Sequence, residues 1–583
     1  MQLVSAPFAQ PQRGPLGPAV PGAVAGEAPA EAVELYHRTY TSLLRSSGEM
    51  RLRVLESSHR AMRSSLHPLA DSAELDLGAL LYALRRLPEA VTSARLIVMG
   101  QSAEVFLRHG FGPLDSTAEL AAPGRRRRWY RARSEALAVL IASPSDVDDL
   151  VPTLVALQIE WNKLHRRLRT NGGLAGVAPD PAACAAVLGG ELDDWQHLAE
   201  LWKDDFGDWL RTVAAEEMSL RIRMLGGTAV GYARETRHWW TAVTAAMAAE
   251  GLEERPVYFV SSNTHSLVNL VTGVAARHEQ ELVDFIAAQG PDDMRHELEQ
   301  LRAGRAHSEW ANFLYYAARL FYAALPPGSP HRDQRREQER EAGVLHIGST
   351  TALDVAAQLI VLDRLDHTRF DDRLQDVDAA SLEASRAVVV NVDYPLGWAA
   401  YNILREVAEA TAELRGVYVL GKAATLNADI GDVMISSMVH DEHTGTTYWL
   451  DNAFSVGDIS PYLRFGSGLD NQRAVSVKGT FLQNRGYLDY YYREAYTVVE
   501  MEAGPYCNAV YEISEADRYP TATSVNFSKL PLDFGVIHYA SDTPYTQART
   551  LGARGLSYFG MDSTYASSVA ILRRILRLEN ALP

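Results

Sequence analysis

Three segments of this chain share one pattern: a short apolar run rich in β-branched residues, a turn of small polar residues and an amphipathic helix. They are SARLIVMGQSAEVFLRHG (93–110), ALAVLIASPSDVDDLVPTLVALQIEWNKL (136–164) and PVYFVSSNTHSLVNLVTGVAARH (256–278). Strand–turn–helix units in series are typical of parallel sheets covered by helices. The pattern therefore predicts the α/β class and, with the helical stretches between the units, a helix-rich α/β N-terminal half.

Shifts in composition along the chain predict four regions. Residues 1–30 are rich in Pro, Gly and Ala, which predicts a disordered leader. Residues 31–330 make up the helix-rich α/β half, whose role the sequence leaves open. Residues 331–384 carry a dense mixed-charge run and predict a linker and connecting unit. Residues 385–583 contain strand-like runs such as AVVVNV, GVYVLG and FGVIHYAS, which predict a compact α/β domain.

The balance of charged residues restricts the partners of the chain. It has 56 Lys and Arg against 73 Asp and Glu, a net charge of −17. Nucleic acids and anionic membranes bind basic surfaces, so we expect neither as a partner.

No apolar run approaches the roughly 18–20 residues needed to span a bilayer. Only Cys184 and Cys507 occur, which provides no disulfide framework and fits a reducing, cytoplasmic setting.

Several polar clusters allow both a binding and a structural interpretation. The run GRRRRWYRAR (124–133) suits a phosphate or a single strand, but equally a solvated face or an oligomer contact. The turn SSNTHSLVNL (261–270) offers amides and hydroxyls to an anion, or is an N-cap cluster, and LHIGSTTALDV (345–355) has the same chemistry. His440 and His443 have no third ligand cluster near them in the sequence, so we expect no metal.

The last third of the chain contains four segments whose order along the chain is informative. They are VVVNVDYPLGWAAYNIL, VYVLGKAATLNADIGDVMIS, VVEMEAGPYCNAVYEI and VIHYASDTPYTQA, each with polar or small residues where a strand ends. This order resembles the nucleoside phosphorylase/nucleosidase superfamily, which contains purine nucleoside and uridine phosphorylases and methylthioadenosine/S-adenosylhomocysteine nucleosidase. GDVMIS, VVEMEAG and ASDTP carry the resemblance, which covers roughly residues 385–580.

The resemblance implies a phosphorylase/nucleosidase-like α/β domain with a central mixed sheet, and it places roles on individual residues. Glu502 would bind the ribose hydroxyls, and Met501 would pack against the sugar. Asp542 would donate a proton to the departing base. The chain has Ala423 and Ala424 where the family loop usually has glycines, which leaves the reaction subtype open. The substrate-binding residues predicted in this way are Gly421, Lys422, Ala423, Ala424, Thr425, Phe481, Glu500, Met501, Glu502 and Ser541.

These residue types suit the cleavage of an N-glycosidic bond. The reaction builds positive charge on the sugar and negative charge on the departing base. A carboxylate on the ribose hydroxyls fixes the sugar, and a carboxylic acid beside the base neutralises the leaving group, which typically contributes about 10²–10⁴-fold. Asp542 must then hold its proton near neutrality, and partial burial would raise its pKa in this way. Phe481, near a cluster of tyrosines, suits stacking on a base but equally packing in a core.

The group that attacks the sugar decides between hydrolysis and phosphorolysis. The stretch VDYPLGWAAYN contains no arginine, and the carboxylate of Asp393 would repel phosphate but activate water. We therefore favour hydrolysis with Asp393 as the second catalytic residue. Lys422, Lys478 and Arg485 keep phosphate open as a co-substrate, or as part of a nucleotide. Asp562, in YFGMDSTYASS, is a helix N-cap or the acid held in reserve if Asp542 is not the acid.

The sequence therefore predicts an enzyme that cleaves the N-glycosidic bond of a nucleoside or nucleotide, without a resident cofactor. The N-terminal half would regulate it or drive assembly. Since members of this superfamily commonly complete their sites across subunit contacts, we expect a homo-oligomer. Two alternatives stay open: a non-catalytic nucleoside- or nucleotide-binding protein, and a nucleotide-depleting defence effector.

Overall fold

The computed structural model describes residues 29–46, 48–114, 118–122, 124, 127–170, 179–305, 309–326, 328–515, 521–544 and 558–582. The predicted leader therefore lies outside the described residues, apart from the first two residues of the helix that begins at Pro29.

Helices account for about half of the described residues, and they cover both sheets of the molecule. They are α1 (Pro29–Ser46), α2 (Glu56–Ala61), α3 (Leu77–Leu84), α4 (Ala103–Arg108), α5 (Pro144–Thr170), α6 (Pro181–Leu188), α7 (Leu192–Trp202), α8 (Phe206–Ala215), α9 (Ala229–Ala249), α10 (Ser266–Thr272), α11 (Val274–Arg277), α12 (Glu279–Gln289), α13 (Asp292–Arg302), α14 (Trp310–Ala324), α15 (Pro330–Glu341), α16 (Ala379–Ala384), α17 (Trp398–Ala410), α18 (Val456–Ile459), α19 (Arg485–Arg493), α20 (Ala503–Ser514) and α21 (Tyr558–Leu578). In the part of the chain that the structure describes, no helix is both long enough and apolar enough to cross a membrane.

The strands are short, as expected for an α/β protein in which helices alternate with them. They are β1 (Met50–Arg51), β2 (Leu96–Gly100), β3 (Glu119–Leu120), β4 (Trp129–Arg133), β5 (Ala136–Leu140), β6 (Arg221–Leu225), β7 (Val257–Ser262), β8 (Val344–Ile347), β9 (Ala357–Val361), β10 (Val388–Asp393), β11 (Leu414–Thr425), β12 (Val433–Asp441), β13 (Thr446–Trp449), β14 (Gly468–Ser476), β15 (Val498–Glu500), β16 (Ser524–Asn526) and β17 (Asp533–Asp542).

These strands form two sheets. The smaller sheet has the order β1-β6-β2-β5-β4-β3, with β2 parallel to β5 and β6. The larger sheet has eleven strands, ten of them in the order β16-β13-β12-β14-β15-β11-β7-β10-β9-β8, while β17 pairs with β11 and β12. In the larger sheet β10, β7, β11 and β17 are parallel to one another. Strand β9 runs antiparallel to both of its neighbours, and β15 runs antiparallel to β11 but parallel to β14. The α/β class and the mixed central sheet are therefore confirmed.

The larger sheet crosses the region boundaries that composition predicts, and it corrects them. Strand β7 lies inside the predicted 31–330 region, and β8 and β9 lie inside the predicted 331–384 linker, yet all three belong to the larger sheet. Strand β7 pairs with both β10 and β11. A domain of residues 385–583 would lack these three strands, because sheet pairing depends on contacts distant in sequence. The unit built on the larger sheet begins at β7.

The N-terminal part has its own core around the 27-residue helix α5. Asp146 in its first turn accepts hydrogen bonds from the backbone N–H groups of Ala142 and Ser143, which positions the helix directly after β5. Arg167 and Arg169 lie in its last turn, where positive charge suits the helix dipole. This core also takes in Phe481 from the larger unit, so the two units share a packed interface.

Candidate active site

Four parallel strands of the larger sheet end at one cleft of about 1130 Å³. The lining includes Asn263 after β7, Asp393 at the end of β10, Ala424 near the end of β11 and Asp542 at the end of β17. Ligands of open α/β sheets bind outside the carboxyl ends of the parallel strands, so this edge is the expected place for a site. The topology brings together strand ends that are far apart in sequence, from Asn263 to Asp542.

The N-terminal part of the chain supplies a second section of the cleft lining. It includes residues 84–89 after α3, Gly124, Arg127, and Leu201 and Trp202 at the end of α7. None of the site residues predicted from the resemblance lies in this part of the chain. The arginine run was the only sequence feature there that indicated a binding site. The turn after α3 also lines the cleft, but its sequence contains no motif that would have indicated this.

Asp542 is a carboxyl group of the cleft whose pKa is raised by burial. Its side chain is buried, the Ser541 hydroxyl donates to its Oδ1 over 3.4 Å, and its Oδ2 has no hydrogen-bond partner among the described residues. Burial raises the pKa of Asp542 to about 7, although the positive charge of Lys422, the Ser541 hydrogen bond and the charge of Arg86 act against the rise. The side chain can therefore hold a proton near neutrality and release it to a bound group.

A local irregularity in β17 positions this acid. Ala423 pairs with Ala540, but the next residue, Ala424, pairs with Asp542, so Ser541 is an extra residue in β17. A bulge of this kind changes the direction of the side chains that follow it. On the other edge of β11, Ala424 pairs with Val499 of β15. Neighbouring strands of a sheet lie about 4.8 Å apart, so the backbones of β17 and β15 are about 10 Å apart, with Ala424 of β11 between them.

The structure gives the two glutamates of VVEMEAG different environments. Glu500 is buried, and its Oε2 accepts hydrogen bonds of 2.7 Å from the backbone N–H groups of Glu502 and Ala503. Its Oε1 accepts a hydrogen bond from the Ser476 hydroxyl. Glu500 thus satisfies the amides at the start of α20, which is a structural role although the residue also lines the cleft.

Glu502 and Met501 occupy the turn between β15 and α20. Glu502 is the N-cap residue of α20, but its side chain makes no capping hydrogen bond, and both residues line the cleft. The Met501 sulfur lies 4.0 Å from the Thr480 hydroxyl, another cleft residue. The turn therefore presents a carboxylate and an apolar thioether to the cleft, while Glu500 holds the turn in place.

Asp393 ends β10 and lies beside the same cleft. Its backbone N–H donates to the carbonyl of Ala356, and the following Tyr394 donates its N–H to the carbonyl of Ser262. These bonds tie the acidic loop to the strands on either side. Of the predicted site residues, Asp393, Lys422, Ala423, Ala424, Glu500, Met501, Glu502, Ser541 and Asp542 all line the cleft.

Gly421, Thr425 and Phe481 do not line the cleft. Gly421 pairs with a residue inside β17. The Thr425 hydroxyl accepts a hydrogen bond of 2.8 Å from the backbone of Ala428 and so closes a turn. The Phe481 ring packs at 5.3 Å from the ring of Tyr82, inside the N-terminal core. Phe481 lies close to the motif in sequence, but the N-terminal core that contains it is formed by residues far away along the chain.

The reserve acid Asp562 also lies outside the cleft lining. It is inside α21 rather than at its N-cap, and its Oδ2 accepts hydrogen bonds from the backbone N–H groups of Arg464 and Phe465 at 2.7 and 2.9 Å. The Asn312 amide donates to its Oδ1 over 3.1 Å. Burial raises the pKa of Asp562, and these two backbone hydrogen bonds oppose the rise. The carboxyl group is thus engaged in holding the 464–465 loop.

The polar clusters with two interpretations are mostly engaged in structure. Asn263 caps its own turn, because its Oδ1 accepts the N–H groups of His265 and Ser266. Burial, with the nearby charges of Arg319 and Arg335, lowers the pKa of His265 to about 3, so this cleft residue is neutral.

In the arginine run, Arg127 makes buried ion pairs of 2.7 Å with Asp146 and Asp149. Arg128 donates to the carbonyl of Ser349. Arg125 and Arg126 lie outside the described residues.

His440 and His443 each have a local partner. The Nδ1 of His440 lies 3.0 Å from the Thr447 hydroxyl, and the Nδ1 of His443 lies 2.8 Å from Asp441 Oδ1. Within the described ranges, no group of three or more His, Cys, Asp or Glu side chains is arranged to hold a metal ion.

Comparison with solved structures finds nucleosidases and phosphorylases at low similarity. The 5′-methylthioadenosine/S-adenosylhomocysteine nucleosidase of Neisseria meningitidis, in complex with methylthio-immucillin-A, is 12% identical with a TM-score of 0.29, over 54% of this chain and 98% of that chain. The corresponding nucleosidase of S. pneumoniae, with a transition-state inhibitor, is 10% identical with a TM-score of 0.29, over 56% and 100%. A methylthioadenosine phosphorylase from an Antarctic soil metagenomic library is 9% identical with a TM-score of 0.23, over 32% and 71%.

At TM-scores this low, these likenesses assign neither a fold nor an activity to the chain. No curated protein matches it. One family model does match, over residues 52–577, which is most of the 583 residues and spans both sheets. The chain therefore belongs to the family of unknown function DUF6909.

Proposed function

We propose that this protein cleaves the N-glycosidic bond of a nucleoside or nucleotide, and that it does so by hydrolysis. One observation carries the proposal. A buried carboxyl group with a pKa of about 7, on Asp542, lies across β11 from the turn that presents Glu502 and Met501 to the same cleft. Residues of VVEMEAG and ASDTP, two of the three motifs that carry the resemblance, thus line the same cleft, which supports the proposal.

The proposed roles follow from the chemistry of each group. Glu502 binds the sugar hydroxyls and tolerates the positive charge that develops on the ring, while Met501 packs against the sugar. Asp393 accepts a proton from water as the water oxygen attacks the anomeric carbon. The bond between that carbon and the base nitrogen breaks, and Asp542 gives its proton to the base. The products are the free base and the free sugar, with one proton gained by Asp393 and one lost by Asp542.

Hydrolysis is favoured over phosphorolysis by the charge beside the expected point of attack. Asp393 is the last residue of β10 and lines the cleft, and the loop after it, residues 394–397, carries no basic side chain. A carboxylate in that position repels phosphate and activates water. The cytoplasmic location and the homo-oligomer remain our predictions for this protein.

The test is incubation of the purified protein with a panel of nucleosides and nucleotides, with and without inorganic phosphate. Free base and sugar are followed by chromatography. Release of base without phosphate supports hydrolysis, and strict dependence on phosphate contradicts it. Tight binding without release of base from any compound would contradict the enzymatic proposal and identify a binding protein.

A further inference from the structure

Two side chains of the N-terminal section of the cleft are donors without acceptors. The Nη1 of Arg85, just after α3, and the Nε1 of Trp202, at the end of α7, are shielded from solvent and have no hydrogen-bond partner among the described residues. Both residues line the cleft. Helices α3 and α7 contact each other, so the two donors belong to one wall of the cleft. We call Arg85, Arg86, Leu201 and Trp202 the N-terminal wall.

The positive charge of Arg85, in the N-terminal wall, has no carboxylate close enough to neutralise it in the part of the chain that the structure describes. Its guanidinium forms no ion pair within the described residues, and the acidic side chain that acts on its pKa is Glu200, which is exposed. Burial lowers the pKa of Arg85, and the charge of Glu200 acts against this. Only the Nη1 of this half-buried side chain is shielded, and a shielded N–H group without an acceptor is unfavourable.

The missing partner must accept hydrogen bonds and carry negative charge. Neither an arginine guanidinium nor an indole N–H can accept a hydrogen bond, so a ligand group rich in acceptors is required. A phosphate group meets both conditions, since its oxygens accept several hydrogen bonds and match the planar fork of arginine. Arg86 and Lys422 add positive charge to the same cleft.

We propose that the N-terminal wall binds a phosphate group of the substrate, so that the substrate is a nucleotide rather than an unphosphorylated nucleoside. This inference rests on the proposed N-glycosidic cleavage. It also gives the N-terminal unit a task in substrate selection, because Arg85 and Trp202 both come from that unit. Free orthophosphate has the same chemistry, but as an attacking group it would have to lie next to the carboxylate of Asp393.

The experiment compares nucleotides with their matching nucleosides in the full-length protein. The probes are the 5′-monophosphates of adenosine, guanosine, inosine, cytidine and uridine, and the five nucleosides, each with and without orthophosphate. We expect kcat/KM for the preferred nucleotide to exceed that for its nucleoside at least about 100-fold. We expect Arg85→Met to reduce this ratio at least about tenfold, because one hydrogen bond to a charged group is lost.

Two further variants refine the test, and one serves as control. Arg85→Lys keeps the charge without the fork and should recover part of the ratio. Trp202→Phe keeps an aromatic ring beside Trp209 but lacks the N–H, and should reduce the ratio about threefold to tenfold. Arg53→Met changes an exposed arginine of the same unit away from the cleft, and should leave the ratio unchanged. Thermal unfolding of each variant shows whether it is folded.

Several results would overturn the inference. Equal kcat/KM values for nucleosides and nucleotides would overturn it. A ratio of nucleotide to nucleoside kcat/KM that is the same in Arg85→Met as in the wild type would also overturn it. Cleavage of nucleosides only with orthophosphate, with a higher KM for orthophosphate in Arg85→Met, would assign the wall to the free ion. Loss of the ratio in Arg319→Met alone would place the phosphate at another arginine of the cleft.

Failure of the proposed function gives a separate result. If no compound is cleaved, equilibrium binding of the same ten compounds decides the inference. Nucleotides that bind at least about tenfold more tightly than nucleosides in the wild type, but not in Arg85→Met, would support the phosphate site without cleavage. Equal binding of both classes would reject the site as well.

Discussion

Asp542 and Val499 are the strand partners of one residue, Ala424, on the two edges of β11. On one side of β11, strand β17 ends at the buried acid Asp542. On the other side, strand β15 ends at Glu500, and Met501 and Glu502 follow it directly. The separation of about 10 Å between the two backbones suits a sugar and its base lying across the end of β11.

Replacing Asp542 by Asn should remove the proton donor while keeping the shape of the side chain. We expect kcat to fall about 10²–10⁴-fold, since this is the usual contribution of a well-placed acid. The matched control is Asp562→Asn, another buried carboxyl group that does not line the cleft. Full activity of Asp542→Asn, measured as base released per folded protein, would show that Asp542 is not the acid.

The rate of cleavage should fall as the pH rises through about 7, because Asp542 must be protonated to act and burial raises its pKa to about 7. The positive charge of Lys422 holds this pKa down, so Lys422→Met should move the falling limb of the pH profile to higher pH. Lys478→Met is the control, since Lys478 pairs with Glu34 and does not line the cleft. A limb that stays in place in Lys422→Met would contradict the prediction.

The same carboxyl group should make stability depend on pH. Its pKa is 3.8 in the unfolded chain and about 7 in the folded protein, so the folded state binds more protons between these values. The free energy of unfolding therefore falls as the pH rises through this window. Asp542→Asn, which does not titrate, should be more stable than wild type by up to about 4 kcal/mol at pH 8 and equal to it at pH 4. Denaturant unfolding at both pH values measures the difference.

We expect replacement of Glu500 to affect mainly stability and replacement of Glu502 to affect mainly activity. Glu500→Ala leaves two backbone N–H groups at the start of α20 without their acceptor, and should lower the free energy of unfolding by about 2–4 kcal/mol. Glu502→Ala should have a much smaller effect on unfolding but reduce kcat/KM at least about tenfold. Thermal unfolding and steady-state kinetics of both variants provide the comparison. Equal stability losses would contradict the structural role assigned to Glu500.

The boundary of the larger unit can be tested with fragments. Residues 385–583 lack β7, β8 and β9, so we expect this fragment to be insoluble or without cooperative unfolding. Residues 251–583 contain every described strand of the larger sheet and should show more regular secondary structure by circular dichroism. Cooperative unfolding of the shorter fragment would show that the three strands are dispensable.

The sequence by itself determined the α/β class, and nine of the site residues predicted from it line the cleft. Such motifs are local: a strand end with its turn carries its residues within a few positions, and strand periodicity is visible in the sequence. The tertiary structure decided that β7 and the β8–β9 pair belong to the larger sheet and that Phe481 packs into the N-terminal core. It also decided that Arg85 and Trp202 reach the cleft. Each of these depends on contacts between residues far apart along the chain, and such contacts are set by the packing of whole sheets and helices rather than by any local pattern.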